Sequence, residues 1–170
     1  MPYTIRPTQP DDAAGMIALL TAVARDPINN IGRDADEPMF TEEWEREYLA
    51  MQTARLDWLG LVAIGDDGAV IGSLTLDGKQ RKAMRHCAEL GICVRADYRG
   101  QGVGRALMER SIAWARESGV IRRIELQVLA RNTIAIQLYE KLGFQHEGRH
   151  PRAVYRDEQY LDNLTMGLLL

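Results

Sequence analysis

Apolar residues along this chain recur at every second position in some stretches and at every third or fourth in others. The switches between these periods mark out its elements. Tyr3 to Arg6 alternates and ends at Pro7, which predicts a short edge strand. Asp11 or Asp12 can cap a helix whose apolar positions Met16, Ile17, Leu19, Leu20 and Val23 make one face, ending before Pro27. Asp26 to Pro38 is polar, holds Gly32 and two prolines, and reads as a loop. Thr41 opens a second helix running to about Arg55, with Trp44, Tyr48 and Met51 on one face.

Strand patterns follow closely. Trp58 to Ile64 and Ala69 to Leu76 flank Gly65-Asp66-Asp67-Gly68, whose chemistry is that of a hairpin turn. A basic connection, Lys79 to Arg85, leads into a central strand from Ala88 to Val94. After a short polar connection (Arg95 to Tyr98) and a glycine turn, Val103 to Ser118 has helical spacing and Gly119 closes it. Ile121 to Leu129 is a strand, Asn132 to Leu142 a compact helix with Gly143 just past its end. Phe144 onward and Tyr160 to Leu169 are two last strands separated by a polar turn at Arg156 to Glu158. Leu164, Met166 and Leu168 alternate, which makes the C-terminus a sheet strand.

The order is βααβββαβαββ. It predicts an α/β (α+β) fold: helices sandwiching a mixed, mostly antiparallel sheet of about seven strands, with one parallel crossover around the Val103 helix. With 170 residues and neither repeat nor linker, the chain reads as one domain, 1–170.

Composition narrows the class of protein. Hydrophobic content of 46% and charged content of 26% are those of an ordinary globular protein. The net charge of −3 gives no sign of nucleic acid or an anionic membrane as partner. No apolar run approaches the roughly 20 residues of a membrane span, and the N-terminus lacks a signal-peptide profile, so the expected location is cytoplasmic. Cys87 and Cys93 lie on one strand about 20 Å apart, too far for a disulfide, which needs Cα atoms within roughly 7 Å. Buried free thiols are expected. His146 and His150 are not on a helical face, and the chain has no zinc spacing, so no metal is expected.

The chemistry concentrates at Arg99-Gly100-Gln101-Gly102-Val103-Gly104. Glycines at every second position before a helix leave the first helical N–H groups uncrowded, and with the helix dipole these make an anion site. The spacing is not that of a dinucleotide fingerprint, and the Walker Lys-Ser/Thr pair is absent, so the anion belongs to some other phosphate ligand.

This turn resembles the Arg/Gln-x-x-Gly-x-Gly/Ala signature of the GCN5-related N-acetyltransferases (GNAT). The preceding strand and Asn132…Ala135…Leu138-Tyr139-Glu140-Lys141-Leu142-Gly143-Phe144 are similar to that family too. The resemblance spans roughly Glu89 to Phe144. It implies acetyl-CoA as donor and co-substrate, without a metal. Gln101, Gly102, Val103, Gly104, Arg105 and Ala106 would supply amides to the pyrophosphate, with Arg99 and Gly100 in the same turn. Ile92, Cys93 and Val94 would pair with the pantetheine arm, and Gly91 would be a bulge that splays the strand. Asn132 would cap its helix and hydrogen-bond the arm.

Acyl transfer to an amine requires that the ammonium lose a proton, that the oxyanion be stabilised and that the departing thiolate be protonated. Tyr139 stands at the position of the family's general acid. An N–H near Cys93 or Val94 would polarise the carbonyl. Glu89 is the better base, and His86 is the other titratable group within reach. Arg81, Lys82 and Arg85 would face solvent, a substrate carboxylate or the 3′-phosphate.

The acceptor is less defined. Asp34, Asp36, Glu37, Glu42 and Glu43 form an acidic patch suited to a polyamine or a basic protein N-terminus. Against this, Thr75-Leu76-Asp77 with Arg81 to Glu89, and the ending Glu158 to Met166, look similar to the bacterial L-amino-acid and phosphinothricin-type branch, which implies a small primary amine, an amino acid or a relative of one, attacking directly in a ternary complex. The alternatives are a protein or ribosomal N-terminal acetyltransferase, a polyamine acetyltransferase, and a non-catalytic acyl-CoA-binding module. The resemblance also allows a homodimer.

Overall fold

A computed structural model describes residues 2–26, 28 and 36–170. Asp34 of the acidic patch, and Pro27 and Gly32 of the polar loop, lie outside the described residues. Seven strands form one sheet in the order β1-β2-β3-β4-β5-β7-β6. They are β1 (Tyr3–Pro7), β2 (Trp58–Gly65), β3 (Val70–Gly78), β4 (Cys87–Val94), β5 (Arg123–Leu129), β6 (Gln145–Arg156) and β7 (Gln159–Leu169). Among the described residues the helices are α1 (Ala13–Ala24), α2 (Glu42–Thr53), α3 (Val103–Glu117) and α4 (Thr133–Lys141). This is the element order expected from the periodicities, with β1 at an edge. The one parallel pair, β4 with β5, is joined through α3.

Strand parity divides the protein into two layers. Leu74, Leu76, Ala88, Leu90, Ile124, Leu126, Met166 and Leu168 pack against Val103, Leu107, Met108 and Tyr139, so α3 and α4 cover one face. On the other face α1 and α2 pack Met16, Leu19, Val23 and Leu49 onto Val62 and Val70. The two helices that could cover this second face touch β2, β3 and the near part of β4. Glu89 on β4 and Gln127 on β5 stand exposed on this face beyond them, with Arg123 and Glu125 half-buried between.

Three local expectations are revised. Asp12 precedes α1 but does not cap it. A short 3-10 turn, Pro10–Asp12, intervenes and places Asp12 in the αR region, where its carboxylate turns back to the Gln9 amide (2.8 Å) and to Arg6 (2.6 and 2.7 Å). Burial pushes the Asp12 carboxyl up, but the bonds from Arg6 and the Gln9 amide outweigh it and hold the group below its ordinary range. Trp44, Tyr48 and Met51 do share a face of α2, but the buried face is Glu45, Leu49 and Gln52. Thr41 caps this helix as expected, its hydroxyl accepting from the Trp44 amide at 3.1 Å. Finally, Gly91 is not a bulge in the β3–β4 ladder, whose register runs unbroken through Thr75↔Gly91.

Candidate active site

The opening in the sheet lies on the other side of β4. Pairing with β5 covers Cys87↔Arg123, Ala88↔Ile124 and Glu89↔Glu125 and then stops. The two parallel strands separate beyond that point, as expected, and the space between them is continuous with a cleft of about 460 Å³. Ile92, Cys93, Val94, Arg99, Gly100, Gly102, Val103, Gly104, Arg105, Asn132 and Tyr139 line it. Residues from the central strand, the glycine turn and α4 are thus brought together.

Backbone parity decides which strand groups are free. The Arg95 amide donates to the Ile71 carbonyl and the Lys79 amide to the Cys87 carbonyl, so odd-numbered peptide groups of β4 face β3. The even-numbered ones face β5, as the His86 carbonyl accepting from Arg122 and Arg123 shows. Past Glu89 the N–H groups of Ile92 and Val94 therefore point into the gap, while the peptide of Cys93 belongs to the ladder with Ser73. Of the two N–H groups weighed as carbonyl polarisers, Val94 fits and Cys93 does not. The Val94 carbonyl is already held by Arg99 Nε at 3.2 Å.

At the glycine turn, Gly100 and Gly102 have φ of 72° and 84°, a left-handed region costly for any residue with a Cβ. The first α-helical bond of α3 runs from the Ala106 amide to the Gly102 carbonyl at 2.9 Å. The amides of Val103, Gly104 and Arg105 precede it and point outward unpaired by the helix. Ala106 is thus no anion donor, because its N–H is used inside the helix. Gln101 does not line the cleft; its side chain donates to the Asp97 carbonyl at 2.8 Å. Arg99 lines the cleft but its guanidinium is directed inward, with Nη1 2.6 Å from the nearly buried Asp26 carboxylate at the end of α1.

We expect Gly102→Ala to lower stability by about 1–2 kcal/mol through αL strain and to weaken acetyl-CoA binding about tenfold or more. A thermal-shift titration with acetyl-CoA measures both. Unchanged affinity would remove this turn from the site.

Asn132 caps α4, its side-chain oxygen accepting from the Ala135 amide at 3.3 Å, and it also faces the cleft. Tyr139, about two turns further along α4, is 5% exposed and packs on Phe144 at 5.9 Å between centroids. Burial pushes its phenol up to about 12, so it is a protonated donor at any working pH. Burial likewise pushes the Cys93 thiol up to about 12, against smaller opposing effects of the Ser73 amide and Arg99. At neutral pH its thiolate fraction is about 10⁻⁵, which makes it a poor nucleophile. Both cysteines are free.

Glu89 lies outside the cleft, on the open face of β4, exposed and flanked by Asp77 on β3 and Glu125 on β5. Each neighbour has a cation: Asp77 pairs with Arg55 at 2.9 Å, and Glu125 with Lys79. Lys79 also feels the Glu89 charge. His86 precedes β4, exposed, with its carbonyl tied to β5. Arg81, Lys82 and Arg85 are exposed in the β3–β4 connection, at the end of β4 away from the cleft, so they do not serve a 3′-phosphate there.

Two groups on the open face had no distinct signal in the sequence. Asn163 on β7 donates from Nδ2 to Gln127 at 3.2 Å, while its Oδ1 is buried and unbonded. Their proximity follows from the β5–β7 register, which places Gln127 opposite Thr165 and Leu129 opposite Asn163. The two β6 histidines hold separate partners: His146 meets Glu140 at 3.0 Å and His150 meets Thr165 at 2.8 Å. The acidic partner of His146 was not apparent from the spacing. Among the described residues no three His, Cys, Asp or Glu side chains gather as a metal site, and no helix is long and apolar enough to cross a membrane.

A splayed parallel strand pair opening onto a helix with a glycine-rich N-terminal turn has clear counterparts among known proteins. The profile of the Acetyltransferase (GNAT) family matches residues 29–144. The chain belongs to this family. It is 40% identical over 100 residues to an L-amino acid N-acetyltransferase of Escherichia coli K12, a stretch covering 59% of this chain and 62% of that protein. It is 30% identical over 118 residues to an L-methionine sulfoximine/L-methionine sulfone acetyltransferase of Pseudomonas aeruginosa, covering 69% of this chain and 68% of that one. The crystal structure of a GNAT-family acetyltransferase from Streptococcus pneumoniae superposes with a TM-score of 0.92 at 33% identity, covering 99% of this chain and 100% of that one.

Proposed function

We propose that the chain, 1–170, is an N-acetyltransferase that moves an acetyl group from acetyl-CoA to the primary amine of a small molecule, an amino acid or a close relative. The observation that carries this is the parting of β4 from β5 directly beside the unpaired amides of α3. That shape suits a long thiol ester with an anionic end. Gly102, Val103, Gly104 and Arg105 would hold the pyrophosphate by backbone N–H groups, and a Cβ at Gly100 or Gly102 would force the turn out of its left-handed conformation. Ile92, Val94 and Asn132 would hold the arm. The thioester supplies an activated acetyl group.

The chain's own residues then divide the proton work. Glu89 receives the ammonium proton, directly or through water, from the open face. The free amine attacks the carbonyl carbon while the Val94 N–H faces the developing oxyanion. As the C–S bond breaks, Tyr139 donates its proton to the sulfur, the nitrogen of the tetrahedral intermediate gives up its extra proton to water, and Tyr139 is reprotonated from water. The products are the N-acetyl amine and the free thiol. Transfer is direct, because Cys93 is held as a thiol. Cys93→Ala is expected to keep kcat within about threefold and to cost about 1 kcal/mol of stability. Loss of turnover beyond about a hundredfold in a folded variant would instead implicate an acyl-cysteine.

L-amino acids and amino-acid analogues as acceptors are supported by the two relatives' activities. The exposed outer strand β6 is the surface through which a homodimer would pair. A thiol-detecting screen of acetyl-CoA against amino acids, alkylamines, polyamines and N-terminal peptides tests the function. Turnover with the small amines supports it. Turnover only with peptides, or stabilisation by acetyl-CoA without turnover on any acceptor, contradicts it.

A further inference from the structure

The open face carries an aromatic array that no step above uses. Phe40, Trp44 and Tyr48 form a ladder, with ring centroids 4.1 and 5.2 Å apart and planes inclined by 19° and 9°. Phe40 stands just before the Thr41 cap, and Trp44 and Tyr48 are one turn apart on α2. The usual polarity of a surface helix is inverted here. Trp44 is 44% exposed, while the neighbouring Glu45 is 4% exposed. A helix that buries a carboxylate and leaves its indole in water presents that ring to something.

The ladder runs toward the proposed base. The Tyr48 phenol lies close to Gln52 and within reach of the charges of Asp77, Glu45 and Arg55. Gln52, itself buried, also accepts from Arg55 at 3.2 Å, and Arg55 pairs with Asp77. Asp77 lies directly opposite Glu89 in the β3–β4 ladder, so their Cβ atoms are roughly 5 Å apart. The tyrosine is therefore the ring of the stack nearest the carboxylates, with Trp44 on its other side. A carboxylate at one end and flat apolar faces at the other complement a molecule with an ammonium at one end and an aromatic group at the other.

We propose that Tyr48, backed by the Trp44 ring, forms the acceptor side-chain subsite, and that the preferred acceptors are primary amines bearing an aromatic side chain: aromatic α-amino acids or arylalkylamines. This rests on the acetyltransferase reading and names the substrate class of that site. The ammonium meets Glu89, and the ring stacks on the end of the ladder, offset as aromatic pairs prefer. Removing one stacking partner is expected to cost about tenfold in selectivity, the scale of a single buried aromatic pair.

The test compares kcat/KM for phenylalanine against alanine and for phenethylamine against ethylamine, at saturating acetyl-CoA. In the native protein both ratios exceed about ten. In Tyr48→Ala both fall about tenfold, and Tyr48→Phe restores most of the difference. Calorimetric binding of phenethylamine to the protein with CoA gives a second reading: affinity falls about tenfold in Tyr48→Ala. Ratios near one in the native protein, or equal losses for both members of each pair, overturn the subsite. So does a shift to a lower sedimentation coefficient in Trp44→Ala, which would make the ladder an interface between copies. Selective binding of phenethylamine without turnover of any amine would uphold the subsite and overturn the transfer reaction instead.

Discussion

Glu89→Gln is expected to lower kcat/KM for the amine acceptor by about 10²–10³-fold at pH 7, the range typical of a lost general base. The glutamine keeps the size and hydrogen-bonding reach of the side chain and removes only the proton acceptor. The surroundings isolate that effect. Asp77 and Glu125, which flank Glu89 on the neighbouring strands, are committed to Arg55 and Lys79. The proposed acetyl-CoA cleft is lined by residues 92–94 of β4 and not by Glu89, so affinity for acetyl-CoA should be unchanged. The deficit should shrink as pH rises, because the fraction of free amine grows toward the amine's own pKa. A loss under about threefold at pH 7 would remove Glu89 as base, and His86→Gln would then be the variant to measure.

Tyr139→Phe should lower kcat by about 10–10²-fold while leaving KM for acetyl-CoA near the native value. Burial disfavours the phenolate and pushes the group up to about 12, above the ordinary value near 10. The sign follows directly. The folded state prefers the protonated phenol, so the donor is intact throughout the neutral and mildly alkaline range. Any stability linked to it is lost only as pH rises from about 10 through about 12. Native kcat should thus show no alkaline fall attributable to Tyr139 below about pH 11, and Tyr139→Phe should lower the whole profile without moving its acid limb. An unchanged kcat would show that solvent protonates the departing sulfur and that Tyr139 is a core residue.

The order of elements was legible because each carries its own period or punctuation: β2 and β3 flanking the Gly65–Gly68 turn, alternation in β7, Thr41 before α2, and Gly119 and Gly143 after α3 and α4. The Asp157 and Glu158 turn was legible as polar, though its two left-handed non-glycine residues were not. What escaped the sequence depends on partners far away along the chain. Which amides of β4 are free follows from ladder parity with β3, not from the residues themselves. That parity assigns Cys93 to the ladder and Ile92 and Val94 to the gap. Arg99 reads as a phosphate ligand from its place before the glycines, yet it is engaged by Asp26, just past the end of α1. The stripe of Trp44, Tyr48 and Met51 was visible as spacing, but spacing does not say which face a helix buries. Leu49 decides it by packing into the cluster under α1.

Direct transfer from thioester to amine, with no acyl-enzyme between, is the central claim, and intact-protein mass spectrometry tests it most simply. The native protein is incubated with acetyl-CoA, first alone and then with an acceptor amine, while thiol and N-acetyl product are measured together. The account predicts an unmodified protein mass in both cases, no thiol release without amine, and one N-acetyl product per thiol with it. An acetylated protein that forms without amine and is discharged by it, or thiol release with no amide product, would contradict it.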